Sequence, residues 1–187
     1  MKTKDEIDKI KASVLYILNQ FPEGIDFIKL FKIMYFAEKE HLINYGRSIT
    51  RDSFHALKHG PVPSFTYKAI QVYQGKMKET PDLNEIAIAI VILEDKMYAK
   101  INADKDELSI SDMRCLDNAI DECRNVDSYT LSDLSHNDAA WKEAYSRSQD
   151  DPEKNKMTLI DIARSGNASM DIINKIRESE QIKMAFS

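Results

Sequence analysis

The sequence is poor in the residues that small-domain chemistry most often uses. Its five glycines are nowhere adjacent, so there is no glycine-rich loop to cradle a phosphate on backbone N–H groups. No G-x-S-x-G nucleophile elbow occurs. The two cysteines, Cys115 and Cys123, lie eight apart on a predicted helix, about 12 Å along its axis. That is beyond disulfide reach, and reduced thiols fit a cytoplasmic protein. Cys115, on an apolar stripe, reads as a small core residue rather than a nucleophile. No apolar run approaches the ~20 residues of a membrane span, and "MKTKDEIDKIK" lacks the apolar stretch of a signal peptide.

Histidine is scarce as well, with four in the chain. His55-x-x-x-His59 has helical ligand spacing, but Ala56 stands where a metalloprotease motif needs Glu, and Gly60-Pro61 ends any helix there. Aromatic residues do not interleave with basic ones as a base-stacking platform requires. The expectation is therefore no catalytic constellation, no metal and no cofactor, hence no enzyme.

What is present describes a globular chain. Its 187 residues, 43% hydrophobic, predict one domain over residues 1–187. Charge is uneven: residues 1–80 hold 13 Lys and Arg against 9 Asp and Glu, and residues 81–187 hold 13 against 22. A basic front and an acidic back follow, with the positive charges scattered rather than clustered.

Periodicity predicts a mainly α fold. Ile7, Ile10, Val14, Ile17 and Leu18 mark a helix over about 4–20. Asp26 caps a second, which carries Phe27, Leu30, Phe31, Met34 and Tyr35 and ends at Gly46. A short helix is expected around 52–59 and another over 64–73. The period changes in "EIAIAIVILEDKMYAKI", where isoleucine and valine favour a single β-hairpin at about 86–102. Ser109 or Ser111 caps a long helix bearing Met113, Leu116, Ile120 and Cys123. Two short helical pieces then break near His136-Asn137-Asp138, and Ser169 caps a last helix. The compact core covers about 5–147, with a helical extension over 157–187.

One stretch, "DSFHALKHGPVPSFTYKAI" (52–70), concentrates conformational constraint. Pro61 and Pro63 fix their own φ and push the preceding residues to extended geometry, and Gly60 suits a positive φ or a close approach. The expectation is a rigid corner aiming two short helices. Its neighbours carry a recurrent pattern: Lys32, Tyr35, Ala37, His41, Leu42, Tyr45, Gly46, Ile49, Asp52, Phe54, Ala56, Gly60, Pro61, Val62 and Tyr67. A second pattern follows in Leu131-Ser132-Asp133-Leu134-Ser135-His136, then Trp141 and Ala144.

Together these resemble the Panacea domain family of SocA-like antitoxins and phage-associated proteins. The resemblance implies a non-enzymatic module that binds a cognate toxin protein, or a proteolytic adaptor presenting its toxin to the ClpXP protease. The expected toxin-facing residues are the basic ones of the front: Lys32, Lys39, Arg47, Arg51 and Lys58. His136 is expected to hydrogen-bond at a helix end, Trp141 to anchor the core, and Tyr35 and Tyr67 to pack inward. The alternative is a winged-helix-like nucleic-acid-binding regulator, since helices precede the hairpin. The net charge of −5 and the scarcity of basic residues in the hairpin argue against it.

Overall fold

A computed structural model describes residues 2–185. Met1 and residues 186–187, the outer ends of the expected single domain, lie outside the described residues. Among the described residues the chain forms nine α-helices and two small antiparallel sheets. No helix among them is long and apolar enough to cross a membrane.

Helix α1 (Lys4–Asn19) starts in a capping box, in which Thr3 Oγ1 accepts from Glu6 N–H and Glu6 accepts from Thr3 N–H. Helix α2 (Phe27–Tyr45) is capped by Asp26 and ends at Gly46 with φ 66°. Its sequence, FIKLFKIMYF, is apolar on most sides, so it is buried on most sides. It becomes the axis of the fold, and Lys32, Glu38 and His41 are carried inside with it, none more than 1% exposed.

After α2 the structure departs from the sequence reading. Residues 52–59 are not helical. Strands β1 (Phe54–Leu57) and β2 (Gly60–Pro63) form a hairpin turning at Lys58-His59, with Leu57 opposite Gly60 and His55 opposite Val62. The prolines decide this. Each disfavours helix at the residue before it, which steers Gly60–Pro63 out of helix and into a strand that pairs with β1. A strand residue's N–H and C=O point to the same side, so prolines at alternate positions put both missing donors on one edge. Accordingly β2 is an edge strand, in the order β2-β1-β5.

Helix α3 (Ser64–Tyr73) follows directly. Helix α4 (Pro81–Ala87) then takes the first part of the run expected to be strand. Thr80 caps it by accepting from Leu83 N–H, and Pro81 sits in its first turn. These start signals override the β propensity of Ile86. The expected hairpin survives in shortened form as β3 (Ile90–Leu93) and β4 (Lys96–Ala99).

Helix α5 (Ile110–Cys123) begins at a capping box of Ser109 with Asp112 and packs along α2. Helices α6 (Ser128–His136) and α7 (Ala139–Asp150) break where expected, Asp138 capping the second. Strand β5 (Lys156–Met157) adds to β1. Helix α8 (Leu159–Ser165) and helix α9 (Met170–Ala185) complete the described chain. They are part of the core, since Ile162, Ala163, Ile173 and Ile176 are buried with both helices against α2.

Candidate functional site

The two sequence patterns, residues 32–67 and 131–144, converge on the β1–β2 hairpin. The Pro61 carbonyl lies on the outer edge of β2, away from β1, and accepts from Lys32 Nζ at 3.2 Å. On the opposite flank, Ser132 Oγ donates to the His59 carbonyl at 3.1 Å, and Trp141 Nε1 donates to the Leu57 carbonyl at 3.0 Å. Carbonyls on the outer edge, at the turn and at the end of β1 thus accept from donors on α2, α6 and α7.

Gly60 makes this convergence possible. Its φ is 97°. A Cβ there would stand 2.2 Å from Ser135 Oγ and 2.5 Å from Lys32 Nζ. Glycine is required twice, for the dihedral and for the space. His136 stacks on Trp141 with ring centroids 4.2 Å apart, and Trp141 on Tyr145 at 4.7 Å. Tyr35 is buried and packs edge-on to Phe54; its hydroxyl has no hydrogen-bond partner of ordinary geometry. Burial, with the Asp138 charge added, pushes its pKa well up. Tyr67 is half-buried and edge-on to Phe31.

Between the hairpin tip and α2 lies an apolar pocket of about 240 Å³. Phe27, Phe31 and Lys32 line it from α2, Tyr67 from α3, and Leu57, Lys58, His59 and Val62 from the hairpin. Lys32 has no carboxylate within ion-pairing distance among the described residues. Burial alone lowers its pKa from the ordinary lysine range to about 7.

The expected toxin-facing residues differ in exposure: Arg47, Arg51 and Lys58 are exposed, Lys39 is half-buried and Lys32 is buried. Lys32 is buried, which corrects its place among exposed candidates: it borders the outside only through the pocket under the hairpin tip. Lys39 is half-buried against Asp138. Arg47 donates to Ser109 and Ser111 at 2.8 Å each and sits 3.3 Å from Asp112. Arg51 and Lys58 are exposed. His55 is a strand residue held by Asn155 at 2.7 Å, and His59 is exposed at the turn, so the helical ligand spacing does not exist.

His41 belongs to a different, buried cluster. Its Nδ1 faces the Arg47 carbonyl at 2.7 Å and must donate to it, since a carbonyl only accepts. Nε2 then faces Ser111 Oγ and Asp112 Oδ1, each at 3.1 Å. Burial disfavours the Asp112 charge, but His41, Lys9 and Ser109 outweigh it and hold the carboxyl well below its usual range. Nearby, Glu38 accepts from the N–H groups of Ile49 and Thr50, while burial pushes its carboxyl up. Asp52 reaches across the hairpin to the start of α3, accepting from Phe65 N–H at 2.9 Å and from Thr66 N–H and Oγ1 at 3.0 Å each. It supplies the cap that Pro63 lacks.

The family model described as antitoxin SocA-like, Panacea domain, matches residues 30–142. The chain belongs to this family. No curated protein and no solved structure matches it. The Panacea match opens in α2, two residues before Lys32, and closes one residue after Trp141. It therefore spans Lys32, Gly60, Pro61, Ser132, Ser135 and Trp141, while the β5 strand and Asn155, which also hold β1, lie beyond it. The Panacea pattern thus corresponds to a physical unit, a hairpin with its seat. Sequence reasoning missed Glu38 and Asp112 as buried partners. The usable signal was that charged residues on a helix as apolar as α2 must be buried, and so need partners elsewhere.

Proposed function

We propose that this Panacea domain is a non-enzymatic cytoplasmic antitoxin that neutralises a cognate toxin protein by direct binding. Family membership carries the reading. The surface that suits it best is the hairpin tip. There Lys58 and His59 are exposed and Phe27 is 42% exposed, an aromatic anchor beside positive charge on a rigidly seated turn. Anchors of that kind dominate binding energy, while rim charges act mainly on encounter rate. The finer alternative is an adaptor that delivers the toxin to the ClpXP protease. The nucleic-acid reading has less support. The β3–β4 turn carries Glu94 and Asp95, and Lys96 Nζ is engaged by the Glu23 carbonyl at 3.2 Å.

Co-expression with the protein encoded beside it, read by pull-down and growth, tests the proposal. Wild type should bind and rescue. A Phe27→Ser, Lys58→Glu variant should lose binding by tenfold or more, about 1.4 kcal/mol or above, with an unchanged circular dichroism spectrum. Arg47→Glu with Arg51→Glu should weaken rescue less. A tip variant that rescues like wild type would place the contact elsewhere. Wild type that neither binds nor rescues overturns the antitoxin reading for that pair. An adaptor would lower toxin levels only in cells that retain the protease.

A further inference from the structure

Every charged or basic side chain lining the pocket under the hairpin tip is of one sign: Lys32, Lys58 and His59. No acidic residue lines it, although the chain as a whole has 31 Asp and Glu against 26 Lys and Arg. The remaining walls are hydrocarbon and aromatic, from Phe27, Phe31 and Tyr67 among others. At about 240 Å³ the pocket is smaller than the roughly 300 Å³ at which drug-sized ligand sites begin. It has room for one residue-sized group.

From this geometry we propose that the pocket binds an apolar carboxylate of about one residue's size, its hydrocarbon body against the aromatic wall and its carboxylate toward Lys32. The pocket shares Phe27, Lys58 and His59 with the proposed toxin-facing tip, but its ligand chemistry is argued from the pocket alone and is tested without a toxin. Among the described residues Lys32 has one hydrogen-bond acceptor, the Pro61 carbonyl, whereas an ammonium has three donors. Inside the protein a carboxylate is the natural group to supply the missing counter-charge, and a charge-assisted hydrogen bond there exceeds a neutral one. Lys58 at the mouth adds attraction without desolvation. The low pKa of Lys32, about 7, marks the same deficiency: its surroundings do not stabilise its charge. Two sources carry this chemistry, a free aliphatic or aromatic acid and the C-terminal residue of a polypeptide.

The test uses the whole purified chain with 3-phenylpropionate, 3-phenylpropanamide, and a short acetylated peptide ending in phenylalanine as either free acid or amide. Amide-proton NMR shifts map the site and titration gives affinity. The acids should bind at least tenfold more tightly than the matching amides, with shifts centred on Lys32, Val62 and Tyr67. If phenylpropionate binds, the free acid suffices; if only the peptide acid binds, the ligand is a chain terminus. Lys32→Met should abolish the preference for acid over amide. Should that variant fail to fold, Lys58→Gln with His59→Gln, both exposed, should still reduce it. Equal affinity of acids and amides, shifts mapping elsewhere, or no saturable binding of any probe overturns the proposal.

Discussion

Alanine at position 60 adds one carbon atom and asks two things of the fold. The first is a φ of 97° in a residue with a Cβ, a strain of about 1–3 kcal/mol. The second is space. The new carbon would fall 2.2 Å from Ser135 Oγ and 2.5 Å from Lys32 Nζ. Either the amine leaves the Pro61 carbonyl or the hairpin lifts from α6. An unsatisfied buried polar group costs about 1–3 kcal/mol, so the total for Gly60→Ala is about 2–6 kcal/mol. Gly75 separates the two contributions. It has φ 68°, and a Cβ there meets nothing within 4 Å, so Gly75→Ala incurs only the dihedral cost, about 1–2 kcal/mol. Urea unfolding of wild type and both variants, followed by far-UV circular dichroism, measures the difference. Gly60→Ala should lower the midpoint at least twice as far as Gly75→Ala, with the m-value unchanged. Equal shifts would refute the close-approach reasoning; an unshifted midpoint for Gly60→Ala would refute the requirement for glycine altogether.

Lys32 predicts a pH dependence. Its folded pKa of about 7 lies below the unfolded value of about 10.4, so between those limits the unfolded chain binds more protons and stability rises with pH, by up to about 1.4 kcal/mol per unit. Cys115 and Cys123, pushed up to about 12 by burial, act oppositely above about pH 8.5, but they do so equally in a Lys32→Met variant. The unfolding free energy of wild type minus that of Lys32→Met should therefore climb from pH 7 to pH 8.5; a flat difference would show that the amine is not desolvated. Asp52→Ala removes the cap of α3 and should destabilise by about 2–4 kcal/mol in the same urea assay; a change under about 0.5 kcal/mol would show that the three-point contact is incidental.

Helices with strong start signals were legible from sequence: Asp26 caps α2 as its position suggests, and of the two serines offered for α5 it is Ser109 that caps. The 54–63 hairpin was not, because "HALKH" is made of residues that tolerate a helix and its pairing partner contains two prolines. Only the pair of strands is stable, and a pair is a non-local fact. The same holds for α4, where Thr80 and Pro81 outweighed the isoleucines behind them. Of the candidate site, Gly60, Trp141 and Lys32 could be named from the sequence, but their convergence could not. Lys32 was read as exposed because lysine usually is. Its burial follows from the apolar residues on both sides of it in α2. The His41–Asp112 contact spans 71 positions and Trp141–Leu57 spans 84, separations that local periodicity cannot join.

The distance along the chain between the hairpin and its supports also sets an order of events during synthesis. Leu57 and His59 are made early, but their hydrogen-bond donors are Trp141 and Ser132. At translation rates of about 5–20 residues per second, some 4–16 seconds separate the turn from the tryptophan that holds it. Through that interval the pocket has no fixed roof. A chain that stops short of residue 141 would keep the Lys32 contact to Pro61 but lack the donor to Leu57, so the hairpin gains these side-chain donors in full only once nearly the whole Panacea segment has been made.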